Sequence, residues 1–338
     1  MMVRHMINIG IIGMGQLGCK HAKIMTVLPN VRLAGVADTD EANLKSAVEK
    51  FIVPGYMSAE NICAIEDLDA VSICTPDYAH RKPVLEAFDN GKFIYMEKPL
   101  ADNLKDAEDI LHASVTHHNR LMVGHLLRFD SRYAKVKELV SKGIIGEIVH
   151  IYGKRNSYVS GPLRYGGHYT ILYHMVVHEI DLVLWITGSQ VIRVYAENES
   201  KVLCHVGMQD SVFTVMKMGN GAIVSLEHCW ILNRNCHSRT LGPEMEIVGT
   251  KGSIHIFGVN GMEIFQDIEE IVPDVSVYAE LEDGRITGCL YSALESFIGC
   301  IAHGDEFPIS ALEGYRAVKV VSAIEEALKK HMPIYISD

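Results

Sequence analysis

Apolar residues in the first third of the chain fall into short unbroken runs: Ile7–Ile12, Val31–Ala37, Ala70–Cys74, Phe93–Met96 and Leu121–Gly124. Between them the period changes, and segments such as Lys82–Asn90 and Asn103–His118 repeat apolar positions at helical spacing. A strand covered on both faces needs apolar side chains at every position, whereas a half-covered one alternates. These runs therefore predict a parallel sheet with helices on both sides. Right-handed crossovers make that a doubly wound α/β domain, with ligands at the carboxyl ends of its strands. After Gly124 the rhythm differs. A helix over Ser131–Lys142 leads through Gly143 and Gly146 to a strand-like stretch, Glu147–Tyr152, and a second helix, Tyr169–Thr187, stops at Gly188. Alternating strands follow, with turn signals at Asn220-Gly221, Thr250-Lys251-Gly252 and Asn260-Gly261. This predicts an α+β domain on an open, mainly antiparallel sheet. The last helix, Ala311–Lys330, sets Ala317, Val321, Ile324 and Leu328 on one face and ends near Pro333.

The first apolar run leads into Gly13-Met14-Gly15-Gln16-Leu17-Gly18, and the second ends at Asp38. Strand, glycine turn, helix and a distal acid form the layout of a dinucleotide site. Gly13 permits the tight turn, Gly15 lets a pyrophosphate approach the backbone, and Gly18 lets helix and strand pack closely. The N–H groups of the first helical turn, around Met14, Gln16 and Leu17, then face the phosphates with favourable polarity. A carboxylate at Asp38 suits the ribose hydroxyls of NAD and repels a 2′-phosphate. NAD is the expected cofactor, with NADP left open through Thr39 and Lys45. Residues 1–125 are accordingly read as a Rossmann domain, and 126–338 as a substrate-binding and oligomerisation domain whose final helix packs at the domain interface.

A length of 338 residues exceeds what one hydrophobic core usually supports, in agreement with two domains. A formal charge of −11 argues against a nucleic-acid partner. No apolar run approaches the ~20 residues of a membrane span, and the first strand begins too early to leave room for a signal peptide. The 8 cysteines include no closely spaced pair, so reduced thiols in a cytoplasm are expected. One face of the open sheet is free and its strands are rich in Val and Ile, which predicts a homodimer or homotetramer.

Glu97-Lys98-Pro99 ends the fourth run, at the same sheet edge as the glycine turn, where Thr75, Glu97 and Lys98 are expected to meet the nicotinamide. An ammonium there stabilises negative charge as a substrate hydroxyl loses its proton; the structural alternative is a surface lysine paired with Glu97. Thr75-Pro76-Asp77-Tyr78-Ala79-His80 leaves the third run at that edge and suits a loop lining the cofactor ribose, or a plain turn. On the helix Tyr169–Thr187, His174, His178 and Asp181 share one side and Glu179 turns away. His178 is suited to proton transfer near neutral pH, with His174 as a second catalytic candidate and Asp181 as a candidate substrate contact. Two histidines four apart also match zinc ligation, but a third ligand is not evident and Asp181 is a weak one, so no metal is expected. The loop Lys154-Arg155-Asn156 and the segment containing Arg164, Tyr165 and His168 are candidates for bounding a polyol pocket, or ordinary polar loops.

These motifs resemble, in order and over nearly the whole chain, the glucose–fructose oxidoreductase/inositol dehydrogenase/MocA family. Beside the glycine motif, Thr75-Pro76 with His80, and Glu97-Lys98-Pro99-Leu100, the resemblance extends to Gly143-Ile144-Ile145-Gly146-Glu147, His178-Glu179-Ile180-Asp181 and Gly249-Thr250-Lys251-Gly252-Ser253. It implies reversible NAD(P)-dependent oxidation of a secondary alcohol on a sugar, cyclitol or related polyol. It also implies that Lys98 is the active-site lysine, that His178 is the acid/base, and that the protein forms dimers or tetramers. Two positions depart from the pattern. His174 stands where many sugar and cyclitol dehydrogenases of the family have an aspartate, and Asp77 where asparagine is common. Three rival readings follow: glycoside cleavage by transient oxidation, a non-catalytic NAD- or sugar-sensing regulator, and a metal enzyme using His174 and His178.

Overall fold

The structure, a computed structural model, describes residues 6–164, 169–232, 242–257, 264–265, 270–271 and 275–337. The chain divides into two units, Met1–Leu126 with Val277–Val318, and Leu127–Ser276 with Lys319–Asp338.

In the first unit, β1 (Ile7–Ile12), α1 (Gln16–Val27), β2 (Val31–Ala37), α2 (Glu41–Phe51), β3 (Gly55–Tyr56), α3 (Ala59–Cys63), β4 (Ala70–Ile73), α4 (Arg81–Asp89), β5 (Phe93–Glu97), α5 (Leu104–Thr116) and β6 (Leu121–Gly124) alternate. The six strands lie in the order β3-β2-β1-β4-β5-β6, all parallel. Chain order reverses between β1 and β4, which opens a crevice at their carboxyl ends where such folds take their ligand. The unbroken apolar runs are the sheet's interior: Ile9, Ile11, Val71, Ile94 and Met96 are wholly buried. Helix starts follow from capping residues. The Asp40, Ser58 and Asn103 side chains accept the backbone N–H three residues on, from Asn43, Asn61 and Asp106.

The second part of this unit was not legible as such. Val277–Val318 clusters with the first 126 residues and not with its neighbours in sequence. The reason is an apolar face: Leu290, Ala293, Leu294 and Phe297 of a helix at Cys289–His303 are buried, with Phe297 edge-on to Tyr95 of β5 at 5.7 Å. The last helix, Ala311–Lys330, contributes its start to this unit and its remainder to the other.

The second unit begins with α6 (Ser131–Ser141), capped by Asp130, then β7 (Ile148–Tyr158) and the short α7 (Ser160–Arg164). A π-helical turn, Leu172–Val176, runs into α8 (Val177–Thr187), which stops where Gly188 takes φ +61°. Four strands follow, β8 (Val191–Glu199), β9 (Ser211–Met218), β10 (Ile223–Leu232) and β11 (Glu244–Gly249), then β12 (Ser253–Ile256). The seven-stranded sheet has the order β12-β11-β7-β10-β9-β8, completed by the C-terminal strand Ile334–Tyr335. Its pairs are antiparallel except β7 with β10. The turns at Asn220-Gly221 and Thr250-Lys251-Gly252 join β9 to β10 and β11 to β12 as expected, whereas Asn260-Gly261 lies outside the described residues. Lys154-Arg155-Asn156, expected as a loop, lies within β7. Its polar residues misled the reading because strand β7 is longer than its apolar half.

Candidate active site

At the head of the first unit's sheet, each glycine of the motif has a separate physical reason. Gly13 adopts φ +90°, and a Cβ there would lie 2.8 Å from the backbone of Cys74 and Thr75. At Gly18 it would lie 1.9 Å from the Gly13 carbonyl oxygen. Gly15 is different: nothing lies within 4 Å of its missing Cβ, and Gly15 and Gln16 are exposed. That open face at the start of α1 is the cradle that a pyrophosphate fits. Leu17 is half-buried, while Met14 is buried with its amide donating to Asp38 Oδ2 at 2.6 Å. Asp38 Oδ1 accepts from the Asp40 amide at 2.8 Å, so the carboxylate is held beside the glycine turn, where a ribose requires it.

β4 and β5 end at the same edge. Thr75 and Pro76 are half-buried, and the Thr75 hydroxyl donates to the Ala79 carbonyl at 3.4 Å. His80 and Glu97, expected to touch the cofactor, are instead sealed inside, 1% and 4% exposed. The His80 ring is placed between the carbonyls of Pro99 and Thr75, and Glu97 Oε1 lies 3.2 Å from His21 Nε2. Both belong to the wall beneath the crevice, because apolar strands on either side leave those two polar groups only internal partners. From Ile94 to Leu100, Lys98 alone is not buried.

In the second unit the same contrast marks the histidines. From Ile171 to Val183 every residue is buried except His174 and His178. The π turn sits directly before His178; such turns are rare and concentrate at functional sites. The His174 ring packs edge-on to Tyr169 at 5.5 Å and lies 6.1 Å from Trp230. Glu179 does turn away, into the core. It accepts from Arg155 Nε at 2.7 Å and meets His228 Nε2 at 2.9 Å. Burial works against its charge, but Arg155 and His228 prevail and hold the carboxyl below the usual range. Arg155, expected in the substrate pocket, thus has its guanidinium committed to a buried carboxylate.

Asp181 is likewise committed. Arg128 donates to it through Nε at 2.9 Å and Nη2 at 2.6 Å, with the guanidinium 5.5 Å from the Trp185 ring centre. Asp181 is 1% exposed, so its carboxylate fixes α8 from beneath and has no open face for substrate. Arg128 is not marked by any sequence signal: it lies in a one-turn helix at Leu126–Phe129, far from Asp181 in the chain. Tyr165 and His168 lie outside the described residues, as does the Arg164 side chain. Among the described residues no group of three His, Cys, Asp or Glu side chains is disposed to hold a metal ion.

Residues 7–125 match the model of the Gfo/Idh/MocA oxidoreductase family with its NAD-binding Rossmann fold, and residues 133–255 match the C-terminal domain of that family. The chain belongs to the Gfo/Idh/MocA family of oxidoreductases. The first unit therefore contains the family's NAD-binding fold, over residues 7–125. Myo-inositol 2-dehydrogenase of Thermotoga maritima is 25% identical over 98% of this chain and 99% of its own. The 2,7-anhydro-N-acetylneuraminate hydratase of Escherichia coli is 28% identical over 74% of this chain and 68% of its own. Among solved structures, apo scyllo-inositol dehydrogenase from Lactobacillus casei has a TM-score of 0.85 at 25% identity, covering 99% of each chain.

Within this Gfo/Idh/MocA site, Asp77 has a measurable consequence. It is 6% exposed and its Oδ1 accepts the Tyr78 amide at 2.9 Å. Burial, opposed by that amide and by Lys98 and reinforced by Asp102, pushes its carboxyl from 3.8 up to about 6. The folded state therefore favours the protonated acid. The stability this gives is fully present below the unfolded value and is lost as pH rises through about 6. Asp77→Asn is expected to melt with the wild type near pH 3 and to be more stable above about pH 7, by up to roughly 3 kcal/mol at 1.36 kcal/mol per pKa unit. Melting the cofactor-free protein across this range checks it; a difference that does not vary with pH contradicts it.

Proposed function

We propose that this protein oxidises a secondary ring hydroxyl of a cyclitol or related polyol, with NAD as the electron acceptor. The observation that carries the reading is the pattern of openings: Lys98 at the sheet edge that holds the glycine turn, His174 on the π turn and His178 on α8 are accessible within otherwise buried segments. We assign to His178 the removal of the hydroxyl proton and to the Lys98 ammonium the stabilisation of developing negative charge. Asp38 and the Gly13–Gly18 turn would hold NAD, which supplies the hydride acceptor when bound. His174, beside Tyr169 and Trp230, contributes a donor or acceptor next to an aromatic surface, suited to a polyhydroxylated ring. The myo-inositol and scyllo-inositol dehydrogenases among its relatives support this choice of substrate class.

The test is a panel of inositols, sugars and glycosides with NAD and NADP, following reduced nicotinamide and product release together. Reduction of NAD by a cyclitol is the expected result. Product formation without net reduction would favour transient oxidation, a reading that the hydratase relative keeps in view.

We also propose that the protein is a homodimer or homotetramer joined through the open face of the second sheet. Phe213 and Val215 of β9 and Ile223 of β10 project from that face and are 54%, 50% and 49% exposed. Size-exclusion chromatography with light scattering is expected to give a dimer or larger species for the wild type and a monomer for Phe213→Asp/Val215→Asp. An unchanged mass in the variant would remove this face from the interface.

A further inference from the structure

The ladder that holds β5 runs out where its most important residue begins. Its last pairing with β4 is Met96 with Ile73, and its last with β6 is Glu97 with Gly124. Lys98 follows directly on these last pairs of the ladder and is joined to Pro99 by a cis peptide. The residues on either side of it are each gripped by a buried histidine that the proposed chemistry does not use.

On the amino side, His21 of α1 is wholly buried, with Nδ1 2.8 Å from Ser72 Oγ and Nε2 3.2 Å from Glu97 Oε1, and its ring edge-on to Tyr95 at 5.6 Å. On the carboxyl side, His80 places Nδ1 2.9 Å from the Pro99 carbonyl and Nε2 3.0 Å from the Thr75 carbonyl. We propose that His21 and His80 are positioning residues that clasp the chain on both sides of Lys98 and register its ammonium against the glycine turn and the Thr75 loop. This rests on the reading of Lys98 given above.

The need for such a device is physical. A lysine ammonium is a point charge on a four-carbon stem with free rotation about each bond. Its accuracy depends on where the backbone is held, and a displacement of about 1 Å costs about 10²-fold in rate. The clasp ties Lys98 to the elements that face the cofactor. His21 belongs to the helix that opens at Gly15, and Ser72 to β4, which leads into Thr75. His80 joins the exits of β4 and β5. Burial opposes charge on His21, while Cys74 and Glu97 raise it to about 10. Burial lowers His80, and its neutral ring donates its one N–H to one of the two carbonyls at a time.

The test reads Lys98 directly and needs no substrate. Competitive labelling of amines with trace acetic anhydride across pH, followed by peptide mass spectrometry, reports the reactivity of Lys98, with the exposed Lys45 as internal reference. His80→Ala and His21→Gln are expected to shift the Lys98 labelling curve while Lys45 stays unchanged. His80→Asn, which keeps one donor, returns the curve part-way to wild type, and it carries the comparison if His80→Ala does not fold. Turnover of the best polyol falls about 10- to 100-fold with KM for NAD within about threefold. Lys98 curves that superimpose on wild type in the folded variants overturn the clasp. Shifted curves in a protein that oxidises no polyol uphold the clasp and reject the substrate reading, so the two fail separately.

Discussion

Lys98→Ala and His178→Ala each lower turnover by about 10²–10⁴-fold while the affinity for NAD changes less than about threefold. The separation follows from where the nucleotide is held. The glycine turn and Asp38 belong to β1, α1 and the end of β2, and none of their described contacts passes through Lys98 or His178. In the proposed mechanism each side chain supplies stabilisation realised only as the proton leaves, and each substitution removes it. The proposal also makes their effects non-additive. The double variant is expected to be scarcely slower than the worse single one, because once one partner is gone the other has no transition state to stabilise. Steady-state kinetics with the best polyol, beside NADH titration by fluorescence, measures this. A single variant with wild-type turnover removes that residue from the mechanism.

Asp181→Ala is expected to cost about 3–5 kcal/mol of stability, the largest loss we foresee from one change outside the apolar core. Arg128 is 8% exposed and gives two hydrogen bonds to that carboxylate; removing the acid leaves a guanidinium in the interior with its charge uncompensated. Replacing the pair together with residues of similar volume, as Arg128→Met/Asp181→Leu, recovers most of the loss, since the cost lies in stranding one ion. Against a typical total of about 5–15 kcal/mol, the single variant is close to unfolding at growth temperature. Denaturant melts of the three proteins decide it. A substrate-contacting Asp181 would instead raise KM at unchanged stability.

Much of this was legible in the chain because the relevant physics is local. Strands β1, β2 and β6 have the expected bounds, since a strand covered on both faces writes itself as an unbroken apolar run. The last helix does too, bounded by a turn before it and Pro333 after it. Gly13, Gly15 and Gly18 were readable because their spacing between a strand and a helix is itself the motif, although what crowds Gly13 is the distant backbone of Cys74 and Thr75. What escaped was long-range pairing between polar residues. Arg155 and Asp181 looked like pocket residues because a polar side chain in sequence does not disclose whether its partner is solvent, substrate or a buried opposite charge; here Glu179 and Arg128 are those partners. His80 and Glu97 misled for the same reason. The return of Val277–Val318 to the first unit was hidden because an apolar helix face does not name the surface it covers.

The most direct test of the whole account follows an atom. Inositol carrying deuterium on its ring carbons is incubated with the protein and NAD, and the reduced nicotinamide and the cyclitol product are analysed by mass spectrometry. The account predicts one deuterium in the dinucleotide for each ketone formed. Tight NAD binding with no deuterium in the dinucleotide, for any inositol isomer offered, would contradict it.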